Sequence, residues 1–192
     1  SGAVYNQWNI FFDNYEETIS CIPLLPCIGN HDTILFGKIA PYYYKLFALP
    51  DNEHYYSFDY KNVHVIMANS EERQLNIKKG SEQYRWLEAD LVAASTNPDI
   101  EWIIVGFHRP PYNSGTAHGN DTLIRKHWCP LFDTYQVDLV ISGHEHCYER
   151  TYPMMNHSII DISNKNELIN MNAPTYLITG GAGAPLYETP GG

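Results

Sequence analysis

VDLVISGHEHCYER (residues 137–150) joins an apolar, β-branched run to two histidines two residues apart, His144 and His146. The first half is strand-length and rich in Val and Ile, which predicts a buried β-strand. The second half sets polar, ligand-type side chains directly after that strand. In an extended segment residues i and i+2 point to the same side. The spacing therefore turns His144 and His146 toward one cavity and Glu145 away from it, whereas on a helix the two rings would diverge by roughly 200°. Two imidazoles on one side form a ligand pair for one metal or for two neighbouring ones. Two polar loop histidines would give the same spacing.

The same arrangement recurs along the chain. IPLLPCI (22–28) runs into GNHD (29–32), WIIVGF (102–107) into HRPP (108–111), and TYLITG (175–180) into GAGAPLY (181–187), with a further strand-like run at VHVIMAN (63–69). Helical stretches lie between them. Over 81–95, Tyr84, Leu87, Leu91 and Ala94 fall on one face, Ser81 can cap the start, and Asn97-Pro98 stops the helix. A second helix is expected over 121–135, interrupted near Pro130. Strands alternating with helices make an α/β fold. In such sheets binding sites gather at the carboxyl ends of the strands, which is where the histidines fall.

His108 ends one strand, and Pro110 and Pro111 stiffen the exit of the chain. Asn30 and His31 follow Gly29; an amide oxygen can ligate a hard or borderline cation, and Asp32 can orient a neighbouring histidine. Read singly, His108 is a loop histidine and GNHD a turn. Their arrangement at successive strand ends is what points to a metal site.

Composition bounds the alternatives. The 192 residues are 44% hydrophobic and 18% charged, enough for one globular domain with a core. The formal net charge of −10 weighs against nucleic acid, whose phosphates need a basic surface. No apolar run is long enough to span a membrane. Cys21, Cys27, Cys129 and Cys147 show no CxxC spacing and do not read as a disulfide framework. Asn120-Asp-Thr and Asn156-His-Ser are N-glycosylation sequons of a number expected by chance. His54, His64, His127 and His157 belong to no motif and read as surface or half-buried residues. The tyrosine clusters at 41–45 and 54–60 read as packing, because no basic patch accompanies them.

GNHD, VGFH (105–108) and GHEHCYER (143–150), in that order and each at a strand end, resemble the metallophosphoesterases, and among them most the purple acid phosphatases. SEQYRWLEADL (81–91) and TYLITGGAGAPLY are similar to that group too, so the resemblance covers roughly residues 5–190. It implies an α/β/β/α architecture, two β-sheets packed as a sandwich and flanked by helices. Asn30, His108 and His144 match ligands to one ion of a dinuclear pair, and His146 a ligand to the other. His31 matches a histidine that contacts the substrate phosphate, and His118, by spacing alone, one that binds substrate or protonates the leaving group. The implied ions are iron with zinc, iron or manganese, and the implied substrate is a small phosphorylated molecule. Two such ions about 3.5–4 Å apart acidify a water and neutralise phosphoryl oxygens. The resemblance also implies a secreted, vesicular or lysosomal protein.

Two blocks of that family lie upstream of its GNHD motif: an Asp before a Gly, and a Gly-Asp-x-x-Tyr. This sequence contains no Gly-Asp dipeptide, and nothing before Gly29 matches either block. The expectation is an N-terminally truncated catalytic domain over residues 1–192, with reduced or no metal occupancy and no turnover of its own. Three readings stay open. The intact protein hydrolyses phosphate monoesters; it hydrolyses phosphodiesters or nucleotide pyrophosphates on the same fold; or the chain is a non-catalytic module that binds a metal or a partner.

Overall fold

A computed structural model of the chain describes residues 2–34, 39–72, 76–115, 117–160 and 172–187. The order is α1 (Tyr5–Ile19), α2 (Tyr43–Leu46), β1 (Tyr56–Tyr60), β2 (Val63–Met67), α3 (Glu82–Thr96), β3 (Trp102–Gly106), α4 (Thr122–His127), α5 (Cys129–Thr134), β4 (Leu139–Ser142), β5 (Tyr148–Arg150), β6 (Met154–Met155), β7 (Ser158–Ile159) and β8 (Thr175–Thr179). Six strands form one sheet in the order β1-β2-β3-β4-β8-β5, and β6 pairs with β7 in a small second sheet. The centre is parallel, with β3 between β2 and β4 and β4 beside β8, while β1 and β5 run antiparallel at the two edges. This is the α/β class with two sheets and flanking helices.

The two helical stretches expected over 81–95 and 121–135 form where the sequence signals them. Ser81 caps α3 by accepting the N–H of Tyr84, and Tyr84, Leu87, Leu91 and Ala94 are its buried face. Asp121 caps α4 by accepting the N–H groups of Leu123 and Ile124, and the break before Pro130 separates α4 from α5. Together these helices cover one face of the sheet. Ile66, Ile103, Val105, Val140 and Tyr176 pack there against Leu87, Leu91, Ile124, Trp128 and Phe132. On the opposite face Val65, Ile104, Leu139, Ile141 and Leu177 are half-buried. Tyr43, Tyr55 and Tyr56 are buried, as the packing reading expects.

Residues 22–28 do not form the expected strand. Pro23 and Pro26 have no N–H to give a ladder, and the Pro26 carbonyl instead accepts the hydroxyls of Tyr43 and Tyr56, each at 2.9 Å. The segment still delivers Gly29 and Asn30 to the end of β3. His64 is also placed differently from expectation: it is 7% exposed, between two aspartates. No helix among the described residues is long and apolar enough to cross a membrane, and all four cysteines are free.

Candidate functional site

The parallel strands β3 and β4 end side by side, and their carboxyl ends carry His108 and His144. The GNHD turn meets them from the 22–28 segment. His108 Nε2 lies 2.7 Å from Asn30 Oδ1 and 3.1 Å from His144 Nδ1. Gly29 makes the approach possible, since a Cβ there would stand 3.0 Å from the His108 ring. Three of the residues expected to bind a metal are thus brought together, each presenting a donor atom to the others.

Electrostatics favour neutral imidazole at this point. Burial pushes the His108 pKa down to about 3, helped by the nearby His144 and Arg109, so the ring keeps a lone pair at any mild pH. Arg109 donates from Nη1 to His144 Nε2 at 3.0 Å. A guanidinium only donates, so Nε2 accepts and the proton of a neutral His144 ring sits on Nδ1. A cation entering between Asn30, His108 and His144 would need the Nδ1 lone pair of His144, so the ring proton would have to sit on Nε2 and Arg109 would have to give up its bond there. His144 reaches this position with a φ of +65°, a left-handed conformation that is rare outside glycine and recurs at functional sites. The extended geometry expected for 144–146 is therefore replaced by a sharp bend.

His146 stands apart from this trio. Its Nδ1–H donates to the Pro185 carbonyl at 2.9 Å and its ring stacks on Tyr187, with centroids 4.2 Å apart. A backbone carbonyl on Nδ1 fixes the tautomer that leaves Nε2 free as a ligand. His118 lies between the groups, its ring 4.1 Å from that of His144 and 5.5 Å from that of Tyr187. Together with Arg109, Asn120, Asp121 and His144 it lines a polar pocket of about 90 Å³. His31 is exposed beside the GNHD turn. Asp32 closes that turn: its carboxylate accepts the Gly29 N–H at 2.9 Å, and burial raises its pKa.

Two polar residues at the site escaped the sequence reading. Arg109 is held by Glu71, whose Oε2 accepts from Nε at 3.1 Å and Nη2 at 2.9 Å, while Ser70 Oγ accepts the Arg109 N–H at 3.1 Å. Ser70 and Glu71 are buried, and Glu71 N–H reaches Asn69, whose own N–H reaches Gln83 of α3. Arginine directly after the strand-end histidine is the only local signal, since Glu71 lies 38 positions away.

Asn30, His108 and His144 suit one borderline dication as neutral donors. Among the described residues no group of three or more His, Cys, Asp or Glu side chains is placed to hold a metal ion. The donor set fits part of one coordination shell, and it lacks the carboxylates that would balance two ions.

The family model described as calcineurin-like phosphoesterase matches residues 2–148. Acid phosphatase type 7 of Homo sapiens is 34% identical over 91% of this chain and 43% of its own length. Purple acid phosphatase 15 of Arabidopsis thaliana is 30% identical over 93% of this chain and 32% of its own length. The solved structure of a purple acid phosphatase from yellow lupin (Lupinus luteus) seeds superposes with a TM-score of 0.80 at 27% identity, covering 96% of this chain and 35% of that one. The chain therefore spans less than half the length of these relatives. A match over most of its length, with strand-end histidines and an asparagine meeting at one point, places the chain in the calcineurin-like phosphoesterase family, with purple acid phosphatases among its homologues.

Proposed function

We propose that Asn30, His108, His144 and His146 are metal ligands of a site that hydrolyses phosphate monoesters, with His31 and His118 serving the substrate. The observation that carries this is the meeting of Asn30 Oδ1, His108 Nε2 and His144 Nδ1 within 2.7 and 3.1 Å. When bound, the ions supply an acidified water and counter-charge for the phosphoryl oxygens. The chain's own residues do the rest. Buried His108 stays neutral and keeps its lone pair. Arg109, anchored by Glu71, brings a fixed positive charge to the pocket wall, where a phosphoryl oxygen needs one. His118 faces the same pocket and can hydrogen-bond the phosphoryl group or protonate the departing alcohol. Asp32 shapes the GNHD turn and thereby the position of Asn30 and His31.

A secreted, vesicular or lysosomal compartment is proposed for the whole protein, along with a small phosphorylated substrate and an iron ion paired with zinc, iron or manganese. A second reading has an observation of its own. With neutral donors alone, the described residues would hold a dication loosely, so this chain by itself would show little or no turnover. Elemental analysis after purification without chelator, followed by hydrolysis of an aryl phosphate monoester and its diester with metal added, separates the cases. Monoester turnover lost in His108→Ala supports the first reading. Loosely held metal and no turnover support the second. Preference for the diester moves the assignment to a phosphodiesterase, and turnover untouched by His108→Ala and His144→Ala refutes the site.

A further inference from the structure

Glu145, between the two histidines of GHEH, is 1% exposed. A carboxylate is costly to bury unless it is fully engaged, and this one is engaged with the loop that carries His118. Its Oε1 accepts the N–H of His118 at 2.7 Å, the side-chain amide of Asn113 at 3.0 Å and the N–H of Gly119 at 3.3 Å. Glu149 ties the same loop a second time, accepting the N–H and hydroxyl of Ser114 at 2.9 and 3.0 Å. Glycines make room for the arrangement: a Cβ on Gly115 would stand 3.3 Å from the Glu145 carboxyl carbon, and one on Gly180 only 2.0 Å from the Glu145 carbonyl oxygen.

The second carboxylate oxygen, Oε2, is buried and has no hydrogen-bond partner. It lies 3.6 Å from Nδ1 of His118, about half an ångström beyond bonding range. We propose that Glu145 is the positioning residue for His118: one oxygen folds the loop over the site, and the other takes the Nδ1–H of the imidazole, so that Nε2 is the atom offered to the substrate. A carboxylate can only accept, so it selects the Nδ1–H tautomer and fixes the ring plane. The proposal rests on the phosphoesterase reading for what Nε2 does. It does not rest on it for the Glu145–His118 pairing.

Long-range proton–nitrogen correlation spectra of the histidine-labelled chain at about pH 9, above the ordinary imidazole range, read the tautomer directly. His118→Gln assigns the signals. The expected result is a protonated Nδ1 on His118. In Glu145→Gln the side-chain oxygen still serves the three N–H donors while the NH₂ group faces Nδ1, and the proton moves to Nε2. A wild-type His118 with its proton on Nε2 overturns the proposal, whether or not the variant folds, and so does a tautomer unchanged in Glu145→Gln. Neither turnover nor metal is needed, so a chain without phosphoesterase activity would leave the pairing testable.

Discussion

His64→Gln should destabilise the chain at acid pH and leave it nearly unchanged at alkaline pH. In the folded protein Nδ1 of His64 lies 2.6 Å from Asp59 Oδ1 and Nε2 lies 3.0 Å from Asp90 Oδ2. Carboxylates only accept, so both ring nitrogens donate and the ring is an imidazolium. Burial opposes that charge most strongly, but the hydrogen bonds and charges of Asp90 and Asp59 outweigh it, and the folded pKa is raised above 6.5. Asp59 is on β1, His64 on β2 and Asp90 on α3, so the cluster fastens the helix to the sheet edge. Ser57 Oγ adds a bond to Asp90 Oδ1 at 3.0 Å.

The magnitude follows from exposure. The Asp59 side chain is 53% exposed and its share is screened by solvent. Asp90 is 18% exposed, and a charge-assisted bond of this kind contributes about 1.5–3 kcal/mol. Gln retains one neutral bond worth about 1 kcal/mol, so the net loss is roughly 0.5–2 kcal/mol. At this chain length that lowers Tm by roughly 1–8 °C. A folded pKa above the unfolded one means the folded state holds the proton more tightly. The stabilisation is complete below 6.5, the unfolded value, and disappears as pH rises through the raised folded value. Melting of wild type and His64→Gln at about pH 5.5, 7 and 8.5 should show a gap that closes upward. A constant gap, or one that widens with pH, would refute the imidazolium bridge.

Other substitutions probe the site and its supports. Asp121→Ala removes the cap that accepts the N–H groups of Leu123 and Ile124; it should cost about 1–2 kcal/mol, read as a lower urea midpoint, with Asp121→Asn losing less. Gly180→Ala drives a Cβ to 2.0 Å from the Glu145 carbonyl oxygen, whereas Gly183→Ala meets no atom within 4 Å and pays only for its φ of +76°. The first should therefore lower Tm more than the second, and equal melting would refute the close approach. His108→Ala should weaken zinc binding by at least about 10-fold in calorimetric titration, while His54→Ala, whose ring is bonded to Tyr44, should leave it unchanged.

Much of the fold was legible because its signals are local. The central strands are continuous apolar runs, as expected for parallel strands, and α3 carries its own cap, periodicity and stop. Residues 5–19 form α1 although no capping residue announces a helix there. None of its residues is buried, but Trp8, Phe11, Phe12 and Tyr15 recur at helical spacing and pack on one another and on Phe47; the signal that is missing is a cap, since Val4 provides no side-chain bond at the start. The 22–28 run misled in the opposite direction: its apolar content reads as a strand, but two prolines decide its hydrogen bonding. At the site, strand-end position located His108 and His144, because the carboxyl end of a parallel strand is set by topology, whereas Asn30 arrives from the irregular 22–28 segment. Local spacing failed for the His144–His146 backbone, where a left-handed residue bends the chain. It could not reveal Glu71 beside Arg109, since such pairs are made by tertiary contact alone.

The carboxylates explain why the donors at the centre are neutral. Asp32 closes the GNHD turn through Gly29, Glu71 holds Arg109, Glu145 holds the loop of His118, and Asp121 caps α4. Each is near the site, and each already carries a structural bond whose loss would cost about 1–3 kcal/mol. A metal recruiting one of them would have to repay that cost as well as its own dehydration. The acids around this site build the scaffold that aims Asn30, His108, His144 and His118, and that engagement weighs against their recruitment as metal ligands.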